Sequence, residues 1–463
     1  MFATPSTFVL VPLFVVGGVV AALVLALATR GARGTVVALL ELYRRARLAW
    51  LGLSGRTEAS ESERRVVSGE AWAEWCDTLK AAGATMTASG CPTDPFDQAE
   101  GYRYLTRLVR ASLENYLECN DPHAPVLVSL ANGMRDAPVK LGADNPDNLY
   151  LNANLDPRET YRLVGLRGTV NYLGLGIQEG TYGGPGGLRT VAYKEAGSDE
   201  FDIGADGAME LVLSAEPPAG GDTRNWLSLP GGDATRAMLI VRQTFRDRAT
   251  ETPATLRIER TSGPHRPSAL TAAQLEDALR TSGMFVAGAS MMFARWAKGF
   301  QAHTNLLPLF DQPTSDAAGG DPKIRYYHSY WKLGPDEALV ITVTPPPCQH
   351  WNFQLNNHWM ESLDYRYFQV HVNIESAHVD AADGSVRVVV AHRDPRDGIH
   401  AGIAYDWIDT CAHNQGQMLW RWVRVAPEWD TASGRLPEPR CRVVKFAELG
   451  ATLGEARAAL AAR

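Results

Sequence analysis

Closely spaced cysteines are missing from this sequence. Its 463 residues contain only six cysteines, scattered between Cys76 and Cys441, and no two of them form a Cys-x-x-Cys pair. Zinc sites and redox motifs need such pairs, and disulfide-stapled scaffolds need a far higher cysteine density. We therefore expect buried free thiols, and neither a zinc site nor a disulfide framework.

Excess basic charge is missing as well. The formal net charge is −7, and no basic stripe with interleaved aromatic residues follows the amino-terminal region. Proteins that bind nucleic acid generally carry such a stripe, because phosphate contacts dominate their affinity. We expect no nucleic-acid partner.

Motifs for nucleophilic and phosphate chemistry are also missing. The chain has no Gly-x-Ser-x-Gly elbow. Its glycine-rich pieces, at 174–176 and 183–187, lie in strand-like sequence without a following helix. That context is typical of turns rather than of a phosphate-binding loop. The absence of these motifs leaves open whether the protein is an enzyme.

A long uncharged run stands near the amino terminus, at residues 8–28. About 20 apolar residues suffice to span a bilayer. We predict a single transmembrane anchor at 7–29 in the lipid bilayer; a cleaved signal peptide is the alternative. Residues 30–54 predict an amphipathic juxtamembrane helix, lying on the bilayer or packed on its own domain. The arginines after the anchor place the rest of the chain in the cytoplasm, with an extracytoplasmic orientation as the alternative.

The rest of the chain alternates helical and strand-like patterns. Apolar residues at three- and four-residue spacing predict a helical region at 55–120, a helical linker at 266–325 and a C-terminal helix at 448–463. Short apolar runs broken by turn residues predict β-sandwich units at 121–265 and 326–447. The predicted fold class is α+β, mainly β, with two sandwiches and one transmembrane helix.

The two β units look like a degenerate internal repeat. An Asp-Gly turn followed by a β run occurs at 206–213 and again at 383–390. In both units a tryptophan comes next, and then a strand that ends in arginine, Arg242 in the first unit and Arg421 in the second. The same order at similar spacing indicates two sandwiches of related topology.

The second repeat contains a recognisable series of motifs: a strand at 350–355, an Asp-Gly turn at 383–384 and an Asp-Trp segment that leads into a strand at 406–421. This series resembles the bacterial domain-of-unknown-function 1214 family, although Asp406 stands where that family usually has Asn. Upstream, 145–156 is similar to the companion 1254 family. The resemblance implies jelly-roll-like sandwiches and brings no established activity.

Two stripes in the second unit, at 350–355 and 368–375, alternate apolar and hydrogen-bonding residues. Successive strand side chains point to opposite faces, so each stripe has one polar face. These faces carry His350, Asn352, Gln354, His371 and Glu375. Such a face is either a solvated surface or the wall of a polar site.

His350, His371 and Glu375 are the candidate catalytic residues, because imidazole and carboxylate groups suit a metal-assisted or other hydrolase. However, His371 and Glu375 would lie about 13 Å apart along one strand, too far to share an ion. We therefore predict no bound metal and no cofactor.

A ligand site is the leading functional prediction. Seven of the twelve tryptophans lie in the second unit, and tryptophan combines a large apolar surface with an N–H donor, which suits amphiphiles and glycans. The candidate ligand-binding residues are Trp351, Asn352, Gln354, Asp406, Trp407, Arg421 and Tyr150. In the first unit, Asp147 and Asn148 could line a cleft between the sandwiches together with Tyr150, or simply cap a turn. The alternative for the second unit is that the tryptophans fill the core and Arg421 pairs with Asp406.

We expect a membrane-anchored protein that binds a small amphiphilic or glycan-like ligand, in the second sandwich or between the two. A hydrolase that uses the His and Glu stripes is one alternative, and a structural module that forms homo-oligomers is another. Convergence of His350 and His371 would favour an enzyme, whereas a concave pocket would favour binding.

Overall fold

The computed structural model describes residues 42, 45–131, 139–180, 188–199, 201–220, 223–317, 320–395, 404–431 and 434–461. Its helices are α1, described over residues 45–53, α2 (Glu58–Val67), α3 (Glu70–Ala82), α4 (Pro95–Leu113), α5 (Ala272–Phe300), α6 (Gln312–Ala317) and α7 (Leu449–Ala461). The strands of the first unit are β1 (Asn148–Leu155), β2 (Tyr161–Leu166), β3 (Tyr172–Gly180), β4 (Leu188–Glu195), β5 (Ala208–Ser214), β6 (Trp226–Ser228), β7 (Ala237–Thr244) and β8 (Thr255–Arg260). The strands of the second unit are β9 (Ile324–Lys332), β10 (Glu337–Val343), β11 (Cys348–Asn356), β12 (His371–Asn373), β13 (Val386–Ala391), β14 (Asp406–Asp409), β15 (Gln415–Val425) and β16 (Arg440–Lys445).

The two β units have the same topology. The first consists of sheet A, in the order β1-β7-β3-β4, and sheet B, in the order β6-β5-β2-β8. The second consists of sheet C, in the order β12-β11-β15-β9, and sheet D, in the order β14-β13-β10-β16. Adding eight to each strand number of the first unit reproduces the second, including the parallel pairs β5·β6 and β13·β14. The internal repeat is therefore a repeat of architecture.

Each unit is a sandwich whose core lies between its two sheets. In the first, Leu163 of sheet B and Leu239 of sheet A belong to one buried cluster. In the second, Trp351 and Trp420 of sheet C stack with ring centroids 5.2 Å apart and share a core with Val388 of sheet D. Side chains on alternate positions of sheets A and C therefore point away from these cores, and they face each other.

Helix α5 lies beside the two units and holds the helical region against them. It begins at a capping box in which Thr271 and Gln274 exchange side-chain and backbone hydrogen bonds. Phe285 and Phe293 lie on its buried face and join a cluster that also contains Tyr104 of α4. Burying each such side chain contributes roughly 1.5–3 kcal/mol.

The predicted fold class requires a correction at its amino-terminal end. In the part of the chain that the structure describes, no helix is both long and apolar enough to cross a membrane. The transmembrane helix predicted at 7–29 lies outside the described residues. Of the amphipathic helix predicted at 30–54, residues 45–53 are helical, with Leu51 buried and Trp50 exposed.

The second polar stripe is shorter than its sequence pattern predicts. Strand β12 ends at Asn373, whose side-chain Oδ1 accepts hydrogen bonds from the backbone N–H groups of Glu375 and Ser376. This Asx turn redirects the chain. Glu375 is exposed and leaves the face that carries His371.

Candidate functional site

The outer faces of sheets A and C face each other across a thin polar layer. The segment 139–149 threads through this layer, and every residue of it is buried except Gly142, which is half-buried. The polar stripe of β11 is therefore not solvated. Asn352 donates to Asn145 at 2.5 Å, and Gln354 donates to the backbone carbonyl of Asp144 at 2.9 Å.

A cavity of about 140 Å³ lies in this layer and is lined from both units. Its polar wall includes two arginines at equivalent positions, Arg242 on β7 and Arg421 on β15. Each arginine has a tyrosine as its neighbour in register, Tyr150 beside Arg242 and Tyr326 beside Arg421. The repeat thus presents the same Arg–Tyr pair to the cavity twice.

Apolar side chains complete the cavity wall. Ile240 and Ile324 come from the two sheets, whereas Phe293 and Trp296 come from α5. His328 also lines the cavity, and burial lowers its pKa to about 3, so it is neutral at pH 7. Asp144 lines the cavity as well, and burial raises the pKa of its carboxyl group. The lining therefore combines two guanidiniums, one carboxyl group and an aromatic part, which suits a ligand with both polar and apolar groups.

Arg421 is buried, and within the described part of the chain its hydrogen bonds go only to neutral oxygens. It donates to the side-chain oxygen of Gln354, to the backbone carbonyl of Ala143, and more weakly to Asn352 at 3.5 Å. Among the described residues, no carboxylate lies within ion-pair distance of its guanidinium. Burial lowers the pKa of Arg421, but an arginine stays protonated in proteins.

Arg242 is also buried but has a different electrostatic environment. Burial lowers the pKa of Arg242, yet the nearby carboxylate of Asp321 and the phenol of Tyr326 outweigh this effect and raise it. Both cavity arginines are therefore charged at neutral pH.

The segment beside Arg421 adopts a strained backbone. Gly142 and Ala143 have φ angles of 66° and 56°, and the N–H of Ala143 donates at 2.8 Å to the carbonyl of Met360, whose φ is 58°. The left-handed region costs a residue with a Cβ about 1–2 kcal/mol. Surrounding contacts must hold this conformation, and such strain often accompanies functional sites.

Asp147 binds three side chains of the second unit. Its two carboxylate oxygens accept from Nε2 of His350 at 3.1 Å and from Nε2 of His371 at 3.2 Å, and Asn373 donates at 3.0 Å. Burial alone raises the pKa of Asp147, but His371 and His350 more than offset it, so the pKa lies well below its usual range. A buried carboxylate is stabilised in this way only while its donors stay in place.

Asp321 of the second unit makes the corresponding contact with the first unit. It precedes β9 of the second unit, and it accepts from the hydroxyls of Tyr172 at 2.9 Å and Tyr193 at 3.0 Å in the first unit. Burial, reinforced by the negative charge of Asp321, raises the pKa of both phenols. Tyr172 and Tyr193 lie where His350 and His371 lie in the second unit, two residues before the row that contains the arginine.

The structure brings together two of the three residues predicted to be catalytic. His350 and His371 do come together, but on Asp147, and Glu375 lies apart from them in its exposed turn. Within the described residues Nδ1 of neither ring has a hydrogen-bond partner, so a neutral imidazole protonated at Nε2 satisfies the geometry. The same residues contain no group of three or more His, Cys, Asp or Glu side chains able to hold a metal ion.

Three of the predicted ligand-binding residues lie away from the cavity. Trp351 is 2% exposed and fills the core of the second sandwich. Asp406 lies on an edge strand of sheet D, where it accepts from the backbone and ring nitrogens of His378 and does not pair with Arg421. Trp407 donates to the carbonyl of Ala391 on the outer side of the same sheet. These three side chains therefore lie on other faces of the second sandwich.

The other four predicted residues meet in the polar layer. Tyr150 and Arg421 line the cavity, and Asn352 and Gln354 hold the guanidinium of Arg421. Arg242 and Tyr326 were not among the site residues predicted from the sequence. The internal repeat could have identified Arg242, because it aligned the strand ending in Arg242 with the strand ending in Arg421.

Comparisons with known proteins agree with this architecture. The family model described as a protein of unknown function, DUF1214, matches residues 188–243, which span β4 to β7 of the first unit. The motifs that suggested this family lie in the second unit, and the shared topology explains why similar motifs occur in both. No curated protein matches the chain.

Two solved structures are similar to the chain. An uncharacterised protein from Burkholderia cenocepacia is 44% identical, with a TM-score of 0.74, over 83% of this chain and 99% of its own. A Vibrio parahaemolyticus protein is 13% identical with a TM-score of 0.41, over 74% of this chain and 98% of its own, which is too distant to support a conclusion. On the family match and the 44% identity, this chain belongs to the DUF1214 family of proteins of unknown function.

Proposed function

We propose that this protein binds a small anionic molecule with an apolar body in the cavity between its two β units. The observation that carries the proposal is the presence of two buried arginines, Arg242 and Arg421, in the wall of one cavity. A guanidinium offers a rigid fork of N–H donors that matches a carboxylate or phosphate. The cavity thus offers positive charge and directional hydrogen-bond donors.

The apolar wall defines the other part of the ligand. Phe293 and Trp296 present aromatic surface, and Ile240 and Ile324 face it from the two sheets. Apolar surface removed from water contributes about 25 cal/mol per Å². A ligand with an anionic head and a hydrocarbon body would use both parts of the lining, which fits the amphiphile of the sequence-based prediction.

The size of the cavity limits the choice of ligand. Its volume of about 140 Å³ is close to that of an engineered apolar cavity of about 150 Å³ that holds benzene. A glycan of two rings or a long acyl chain exceeds this volume. A single-ring or short-chain carboxylic acid fits, so we favour a small amphiphile over a glycan.

The positions of His350 and His371 offer less support for a hydrolase. Neither His350 nor His371 is among the residues that line the cavity, and both are bonded to Asp147. A general base must reach its substrate, and these rings face a carboxylate instead.

Calorimetric titration tests the proposal. Benzoate and benzyl alcohol, matched in size and differing in charge, are titrated into the protein in a phosphate-free buffer. We expect benzoate to bind and benzyl alcohol to bind at least tenfold more weakly, because only the anion pairs with the arginines. Arg421→Lys should weaken benzoate binding, since lysine keeps the charge but loses the fork.

Two outcomes would overturn the proposal. Equal affinity for benzoate and benzyl alcohol would show that the arginines do not select for charge. Unchanged benzoate affinity in both Arg421→Lys and Tyr150→Phe would place binding elsewhere on the protein. Arg325→Gln is the matched control, because Arg325 lies on β9 beside Tyr326 but pairs with Asp430.

A further inference from the structure

We infer that the ligand of this cavity carries two anionic groups, one for each arginine, and is a short dicarboxylate. The inference rests on the proposed function and sharpens it. The two sandwiches present Arg242 and Arg421 to one cavity from opposing sheets, each beside its own tyrosine. A site that repeats the same donor pair twice is complementary to a molecule with an acceptor at each end.

The presence of both arginines in the wall of one cavity favours a ligand with two anionic groups over a ligand with one. Two guanidiniums that line the same cavity repel each other, and a dianion offers an anionic group to each of them, whereas a monoanion offers one to only one of them. Nearby carboxylates offset part of this positive charge, Asp321 near Arg242 and both Asp144 and Asp147 near Arg421. Each of them also accepts hydrogen bonds from other donors. Asp144 accepts from the backbone and hydroxyl of Ser362, at 3.0 and 2.7 Å, while Asp147 is held by the histidines and Asp321 by the tyrosines.

The apolar wall suits the middle of such a molecule. Ile240, Ile324, Phe293 and Trp296 belong to the same cavity as the two arginines. A methylene chain between two carboxylates would contact these side chains. At about 140 Å³, roughly four to six carbons fit, by comparison with the cavity that holds benzene.

The test is a calorimetric series on the full chain in phosphate-free buffer. Succinate, glutarate and adipate are compared with butyrate, valerate and hexanoate, which have the same chain lengths but one carboxylate, and with inorganic phosphate. We expect at least one dicarboxylate to bind tenfold or more tightly than its matched monocarboxylate. In Arg242→Gln and in Arg421→Gln this advantage should fall to about twofold or less, whereas Arg325→Gln should preserve it.

Each outcome decides between the two claims. If the matched monocarboxylates bind as well as the dicarboxylates, the inference of two charges fails and the proposed anion site stands. If phosphate binds more tightly than every dicarboxylate, one compact anion bridges both arginines and the dicarboxylate is wrong. If no anion binds, both claims fail. The wild-type series decides these cases even if an arginine variant does not fold.

Discussion

Asp147 and Asp321 precede the first strands of the two β units, and each is bonded to the other unit. Asp147 accepts hydrogen bonds from the imidazoles of His350 and His371, and Asp321 accepts hydrogen bonds from the phenols of Tyr172 and Tyr193. Each unit therefore contributes one carboxylate that accepts hydrogen bonds from the other unit across the polar layer that contains the cavity. Because each contact joins residues from both units, the units dock in one orientation, and that orientation brings Arg242 opposite Arg421.

Replacing Asp147 tests how strongly its hydrogen bonds to the second unit stabilise the fold. Asp147→Asn directs amide hydrogens at imidazole nitrogens that already donate, so we expect the free energy of unfolding to fall by on the order of 2–4 kcal/mol at pH 7. Because the folded-state pKa of Asp147 is lowered, its contribution is fully present above the ordinary carboxyl pKa of about 4 and is lost as the pH falls below it. Urea unfolding of both proteins at pH 7 and pH 3 measures this difference.

Glu375→Gln is the control for Asp147→Asn. Glu375 is exposed, so its replacement should change the unfolding free energy by less than about 0.5 kcal/mol. A larger effect from Glu375→Gln than from Asp147→Asn would refute the structural role assigned to Asp147.

Asp97 should give the protein a second, opposite pH dependence. The side chain is 3% exposed, Gln415 donates to Oδ2 at 3.1 Å, and burial raises its pKa to about 6. A raised pKa means that the stabilising contribution is fully present below the ordinary pKa of about 4 and is lost as the pH rises through 6. Asp97→Asn should therefore gain stability relative to wild type between pH 4 and pH 8, by about 1–3 kcal/mol. A wild-type-to-variant difference that does not change with pH would contradict this assignment.

Trp351 and Trp296 separate a core tryptophan from one that lines the cavity. Trp351→Phe should lower the unfolding free energy by roughly 1–3 kcal/mol, because it leaves space in the sandwich core, and anion affinity should stay within about twofold. Trp296→Phe should weaken anion binding more than it lowers stability. Denaturant unfolding and calorimetry on both variants measure the contrast, and the reverse pattern would return Trp351 to the binding site.

Gly142 tests the strained segment beside the cavity. An added Cβ would lie 3.0 Å from the ring of Phe293 in a backbone with φ of 66°. We expect Gly142→Ala to cost about 1–2 kcal/mol in stability from the backbone alone and to weaken anion binding by displacing that ring. Gly207→Ala is the matched control, because Gly207 has φ of 82° and nothing within 4 Å of its added Cβ. Equal effects of both variants on affinity would exclude a role for the contact with Phe293.

The two faces of each strand and the internal repeat could be predicted from local sequence patterns. Strand alternation placed His350, Asn352 and Gln354 opposite Trp351, and the matching order of turn, tryptophan and arginine in the two units reflects their shared topology. Both are local properties, since a strand of period two decides which side chains share a face without any knowledge of its neighbours. The likeness to the DUF1214 family rested on the same local motifs.

The residues that cover each face could not be predicted in this way, because they come from distant parts of the chain. The polar stripe meets the segment 139–149, and the carboxylate beside His350 comes from Asp147, 203 residues earlier in the chain. The Asx turn at Asn373 directs Glu375 away from the face that carries His371. Docking of the two sandwiches places Arg242 and Arg421 in the wall of one cavity. Packing between distant elements depends on the shape and charge of both surfaces, and a pattern within one segment carries no information about its partner.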